Sequence, residues 1–297
     1  MTVHRLIGSP LAAIIFLVTA GTVSAQTQKE LLDELDRTIE EAESYVSAKE
    51  VRIKTIENTL HSRGVSPERQ YRIYGELFDE YQPFNYGKAV ETLDKQMEIA
   101  MLLGDKSKLN DVYLKEAMLN TAAGEFLEAR NDLARVDTTI FTKEQEIAYC
   151  NVQQRFWFDY DENQKGADKS MLRKVAYYRE RLLALADPSS SLSRYVTVRK
   201  YIDEKYFAQA DFINRHSLSR MDPASHDYAN LAYFQARICE SLNRREEMKN
   251  WFIRSAMADI KTATKDNASL FSLADALFKD GDYARACNYS SFSLEDA

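Results

Sequence analysis

Few residues in this chain have the type and spacing for chemistry. The histidines are His4, His61, His216 and His226, and none stands three or four residues from another, the spacing that makes a helical metal pair. There is no glycine-rich phosphate loop and no G-x-S-x-G nucleophile elbow. Cys150, Cys239 and Cys287 fit no zinc or thiol–disulfide motif. They are expected to be small buried apolar groups, with a single Cys239–Cys287 bridge as the alternative. The run Asp159-Tyr160-Asp161-Glu162-Asn163 offers oxygen ligands but lacks the glycine and closing glutamate of a calcium loop. It is expected to be solvated chain between helices. No enzyme, metal or cofactor is therefore expected. What remains is recognition chemistry. Arg199 follows Tyr195 by four residues, Arg237 follows Tyr233 by four, and Phe271 continues the aromatic series. A spacing of four puts ring and cation on one helix face. Such a row can stack on or clamp an extended peptide or an acidic ligand. The alternative is core between helices, with Asp275 paired to Arg237.

The elements that must position these residues are helical. Among 297 residues there are only nine glycines and five prolines, with 45% hydrophobic and 29% charged residues. So few backbone breakers favour long helices joined by short turns over a sandwich, barrel or loop-rich enzyme. The net charge of −7 and pI near 5.3 give no broad attraction to nucleic acid or to an anionic membrane. Residues 1–25 read as a signal peptide: His4 and Arg5, an apolar stretch from Leu11, then Val23-Ser24-Ala25 before Gln26. The predicted location is the periplasm, with membrane attachment only through an uncleaved signal or a segment beyond residue 297. Residues 26–65 then predict one long amphipathic helix. Leu32, Leu35, Ile39, Ala42, Val46, Ile53, Ile56 and Leu60 recur three and four apart, with Lys49 the misfit. That heptad seam over 28–62 suits either packing on the next element or a homodimer. Gly64, Ser66 and Pro67 end this helix and start the next.

From residue 66 the chain repeats. Ala117, Gly124, Phe126 and Ala129 share their spacing with Ala274, Gly281, Tyr283 and Ala286. Weaker copies are Leu77-Phe84-Tyr86-Ala89, Val198-Lys205-Phe207-Ala210 and Ala236-Asn243-Arg245-Met248, and a further hairpin fits around 143–186 with its turn lengthened at 161–168. The step from Ala210 to Met248 to Ala286 is constant at 38 residues. The pattern resembles the tetratricopeptide repeat. It implies an all-α, right-handed α-solenoid of about six helical hairpins over 66–297, the last apparently incomplete. First helices would line a concave face. One slot there would hold Tyr74, Leu114, Tyr195, Tyr233 and Phe271; the next would hold Phe78, Met118, Arg199, Arg237 and Asp275.

The stretches Leu31-Leu32-Asp33-Glu34-Leu35-Asp36-Arg37-Thr38-Ile39-Glu40, Tyr45–Glu50 and Tyr71-Arg72-Ile73-Tyr74-Gly75-Glu76-Leu77-Phe78 resemble the start of a family of Bacteroidetes membrane regulators. In that family an exported helical-repeat sensor precedes a membrane helix and a cytoplasmic helix-turn-helix domain. The resemblance implies a noncatalytic sensor or interaction module for a protein, peptide or glycan-derived ligand, with no direct DNA contact by this chain. A structural scaffold assembling through 28–62 is the alternative.

Overall fold

A computed structural model describes residues 27–164 and 169–295. The expected signal peptide lies outside them, as does half of the expected 161–168 turn, residues 165–168. Fourteen α-helices and no strand occur among the described residues. Twelve of them pair as six hairpins: α3 (Pro67–Tyr81) with α4 (Tyr86–Leu103), α5 (Lys106–Ala122) with α6 (Phe126–Arg135), α7 (Lys143–Asn163) with α8 (Lys169–Leu185), α9 (Ser191–Asp203) with α10 (Phe207–Leu218), α11 (His226–Ser241) with α12 (Arg245–Lys261), and α13 (Ala268–Asp280) with α14 (Tyr283–Glu295). Among the described residues, no helix is long and apolar enough to cross a membrane.

The repeat register is a packing rule. Ala89, Ala117, Ala129, Ala210, Ala236 and Ala274 sit in the hairpin and inter-hairpin cores, where a missing side chain lets helix axes approach. The hairpin turns explain why some copies look weak in sequence. Gly124 and Gly281 take φ of 79° and 87°, and at the same register Lys205 and Asn243 take φ of 62° and 58°. The turn geometry is kept while the glycine is not, at the cost of a β-carbon crowding the following carbonyl. Lys205→Gly relieves that strain at an exposed site and is expected to stabilise the fold by about 0.5–1 kcal/mol in urea denaturation. Asn243→Gly should gain less, because asparagine tolerates this conformation.

The N-terminal segment departs from expectation. It is two helices, α1 (Gln28–Glu40) and α2 (Ala42–Leu60), broken at Glu41 with φ −91° and ψ 0°. Two surfaces compete for one stripe. Leu31, Leu32 and Leu35 are buried in the cluster built by α11 to α14, whereas Ile53 packs with Ile73 and Leu77 of α3. A straight helix could not present its stripe to both. Glu40 and Glu41 also sit at the C-terminus of α1, where negative charge is unfavourable, while Glu43 falls in the first turn of α2, where it is favourable. Salt bridges fix the seating of α1. Arg285 reaches Asp33 at 2.7 Å and Asp36 at 3.0 Å, and the Tyr289 hydroxyl donates to Asp36 at 2.6 Å.

Lys49, the misfit of the seam, is buried where the ends of the array meet. Its Nζ lies 5.7 Å from the Phe84 ring centroid, 3.7 Å from Glu80 of α3, and donates to the Thr262 carbonyl after α12 at 3.4 Å. Close by, the Lys265 backbone N–H donates to the Pro83 carbonyl at 2.8 Å. The loop after α12 thus touches the turn between α3 and α4, and the first hairpin meets the fifth and sixth.

Candidate functional site: the face lined by the first helices

Each first helix is set by a local start signal, and that fixes which side chains face inward. Ser66 caps α3 with Pro67 at its first position, Asp105 caps α5, and Thr142 and Gln145 form a capping box on α7. Together α3, α4, α5 and α7 line an open cavity of about 580 Å³, within the range of small-ligand pockets. Phe78, Leu114, Met118 and Val152 make its apolar floor, and Arg72, Glu76, Asp79 and Lys115 stand around it.

Buried hydrogen bonds hold the walls. Gln96, almost fully buried, donates to the Tyr71 carbonyl at 3.0 Å. Gly75 permits this, since a β-carbon there would come within 3.0 Å of the Gln96 Nε2. Gln145 donates to Asp111 at 2.7 Å and to Ser107, tying α7 to α5. The Tyr71 hydroxyl also donates to Asp111, at 3.3 Å. Asp111 is therefore satisfied by the protein itself.

Lys115 is not. Its ammonium has one long hydrogen bond, 3.4 Å to the Gln96 carbonyl oxygen, and sits 4.9 Å from the Phe78 ring centroid. Among the described residues no carboxylate contacts it. Desolvation holds its pKa below the ordinary lysine value, against the opposing pull of Asp79 and Asp111. Partial desolvation by the surrounding protein raises the Asp79 carboxyl, with Lys115 opposing, although the side chain still reaches solvent. Sequence reasoning missed both groups. The available signal was Gly75, an isolated glycine inside a helical stripe, which marks a close approach.

The residues singled out from sequence divide into three groups. Phe78, Leu114 and Met118 meet at the cavity just described. Arg237, Phe271 and Asp275 line a second one of about 380 Å³ between α11 and α13. There Arg237 pairs with Glu240 at 2.6 Å and Asp275 with Lys279 at 2.6 Å, and not with each other. Tyr195 and Tyr233 are wedges between hairpins. The Tyr195 ring lies 4.9 Å from Phe234, and Tyr233 lies 5.9 Å from Phe252 and joins the two C-terminal core clusters. Arg199 is held by Asp203 at 2.9 Å and lies over the Phe158 ring at 4.3 Å. Tyr74 turns away, toward Ile53 of α2. A single continuous aromatic row is thus not formed. Its ends are open, and its middle is packed between repeats.

Cys150 and Cys239 are buried free thiols. Cys287 is free but exposed on α14, against expectation, because the groove beside it is uncovered. Asp159 lies in the last turns of α7 and pairs with Arg155 at 2.8 Å. Among the described residues no group of three acids, histidines or cysteines is placed to hold a metal.

No curated protein matches the chain. The family described as SusR N-terminal TPR domain matches it over residues 39–297, from the end of α1 through all six hairpins. With its helices paired as hairpins and left-handed turns at the repeat register in four of them, the chain belongs to this family of tetratricopeptide-like domains of Bacteroidetes regulators.

Proposed function

We infer that this chain is a noncatalytic sensory and interaction module, the ligand-receiving part of a transcriptional regulator, working in the periplasm after export through residues 1–25. One observation carries the reading. The face of the first helices holds a roomy cavity whose apolar floor is ringed by Arg72, Glu76, Asp79 and Lys115, none of which forms an ion pair among the described residues. The first three are exposed and Lys115 is half-buried, so the charges stand at the rim of the cavity; an apolar concavity with a few polar groups converging on it is the usual form of a ligand site. That ligand is a protein, peptide or glycan-derived molecule, and the Arg237–Phe271 cavity offers a second contact along the same face. The negative charge of the chain argues against nucleic acid as that ligand.

The test is a thermal-shift screen of residues 26–297 against peptide, oligosaccharide and small-metabolite collections, run beside Met118→Arg. A true ligand at a hundredfold excess over Kd adds about 2.7 kcal/mol to stability, a shift of several degrees. It should move the parent protein and leave the variant unmoved. Hits that shift both proteins equally would remove this face as the binding surface.

A further inference from the structure

The charges around the larger cavity narrow the ligand class. This step rests on the reading of the inner face as a binding surface and goes on to the chemistry of what binds. The geometry points to a free amino acid with a large apolar side chain as the ligand, its carboxylate received by Lys115 and its ammonium by Asp79.

Arg72, Glu76 and Asp79 lie along one helix, α3, and Lys115 faces them from α5. Among the described residues, the first three form no hydrogen bond or ion pair, and Lys115 forms only the long one to Gln96. A simple anion would meet Lys115 but also Asp79, Glu76 and Asp111. A simple cation would meet Asp79 but also Lys115 and Arg72. A molecule carrying both charges a few bonds apart satisfies the two sets at once, where a singly charged one would meet a like charge.

The remaining lining suits the rest of such a molecule. Phe78, Leu114, Met118 and Val152 form the floor, and burying an apolar side chain there is favourable. At about 580 Å³ the cavity admits the largest natural side chains.

Isothermal titration of residues 26–297 with L-phenylalanine, N-acetyl-L-phenylalanine, L-phenylalaninamide and a neutral disaccharide tests the assignment. L-phenylalanine should bind, and both blocked analogues should bind at least tenfold more weakly. Lys115→Met should bind L-phenylalanine and its amide alike. Asp79→Asn should no longer distinguish L-phenylalanine from its N-acetyl form. Circular dichroism and the thermal midpoint establish that each variant is folded. Equal binding of the acid and the amide by the parent protein would overturn the assignment. So would binding of the disaccharide with none of L-phenylalanine, an outcome that leaves the inner face as a binding surface and removes only this ligand class. No binding of L-phenylalanine at ten millimolar overturns it equally, while the library screen above still decides the wider reading.

Discussion

Truncating Leu35 to alanine is expected to lower the stability of the chain by about 2–5 kcal/mol and to leave its oligomeric state unchanged. The side chain is wholly buried, and it lies in one cluster with Leu31, Phe252, Leu273 and Tyr289. Removing it leaves a cavity between α1 and the last two hairpins. The surrounding helices are pinned by Arg285 and Tyr289 on Asp33 and Asp36 and cannot collapse into the void. A seam used for a homodimer would have to stand on the surface. Here Leu31, Leu32 and Leu35 are occupied within the chain, as is Ile53 further along. Scaffold assembly through 28–62 would therefore have to do without its four most buried apolar positions. Urea denaturation of Leu35→Ala, with light scattering of both proteins, checks the two halves of the claim. A folded variant that turns a dimeric parent into a monomer would show that the seam pairs between chains after all.

The hairpins were legible because their determinants are local. A small residue, a turn and an aromatic at fixed spacing say where two helices touch, whatever lies elsewhere. Even Lys205 and Asn243, which hide the turn, kept the register of their neighbours. What α1 and α2 pack against depends on contacts more than 200 residues away, such as Arg285 with Asp33, and periodicity carries no information about partners. Lys49 was the one clue in that segment: a cation on an apolar stripe needs buried acceptors, and the structure supplies Glu80 and the Thr262 carbonyl. The site was half legible for a similar reason. Register put Phe78, Leu114 and Met118 in neighbouring slots of first helices, and they line one cavity. It could not tell an open slot from one filled by the next hairpin, so Tyr195 and Tyr233 look equivalent to Phe271 in sequence and are packed while Phe271 is exposed. Lys115 and Asp79 escaped because their importance is a lack of partners, which only the folded chain reveals.

Stability is expected to fall as the pH rises from about 4 to about 8, with Asp259 the main cause. This carboxyl lies in α12, only 6% exposed. Among the described residues its side chain makes no ion pair or hydrogen bond, and the charged group acting on it, Asp266, has the same sign. Burial first, and Asp266 second, push it up to about 8. Glu116, buried beside Asp132, is pushed up to about 7 for the same two reasons. In the unfolded chain both carboxyls ionise near pH 4. Between those limits the folded state holds protons that the unfolded state has released, so folding weakens with rising pH and levels off above the folded values. Other groups act in the opposite sense. Burial lowers the His226 pKa, so its contribution is lost as the pH falls through the lower folded value, and the paired carboxyls of Asp33, Asp211 and Asp280 lose theirs at acid pH. Comparing Asp259→Asn with the parent cancels all of these. The variant should gain on the parent by about 1.4 kcal/mol per unit between pH 5 and pH 8, or about 4 kcal/mol in all, read from urea midpoints at pH 5, 7 and 9. Parallel pH profiles for the two proteins would mean that Asp259 is charged in the folded state and that water or a cation reaches it.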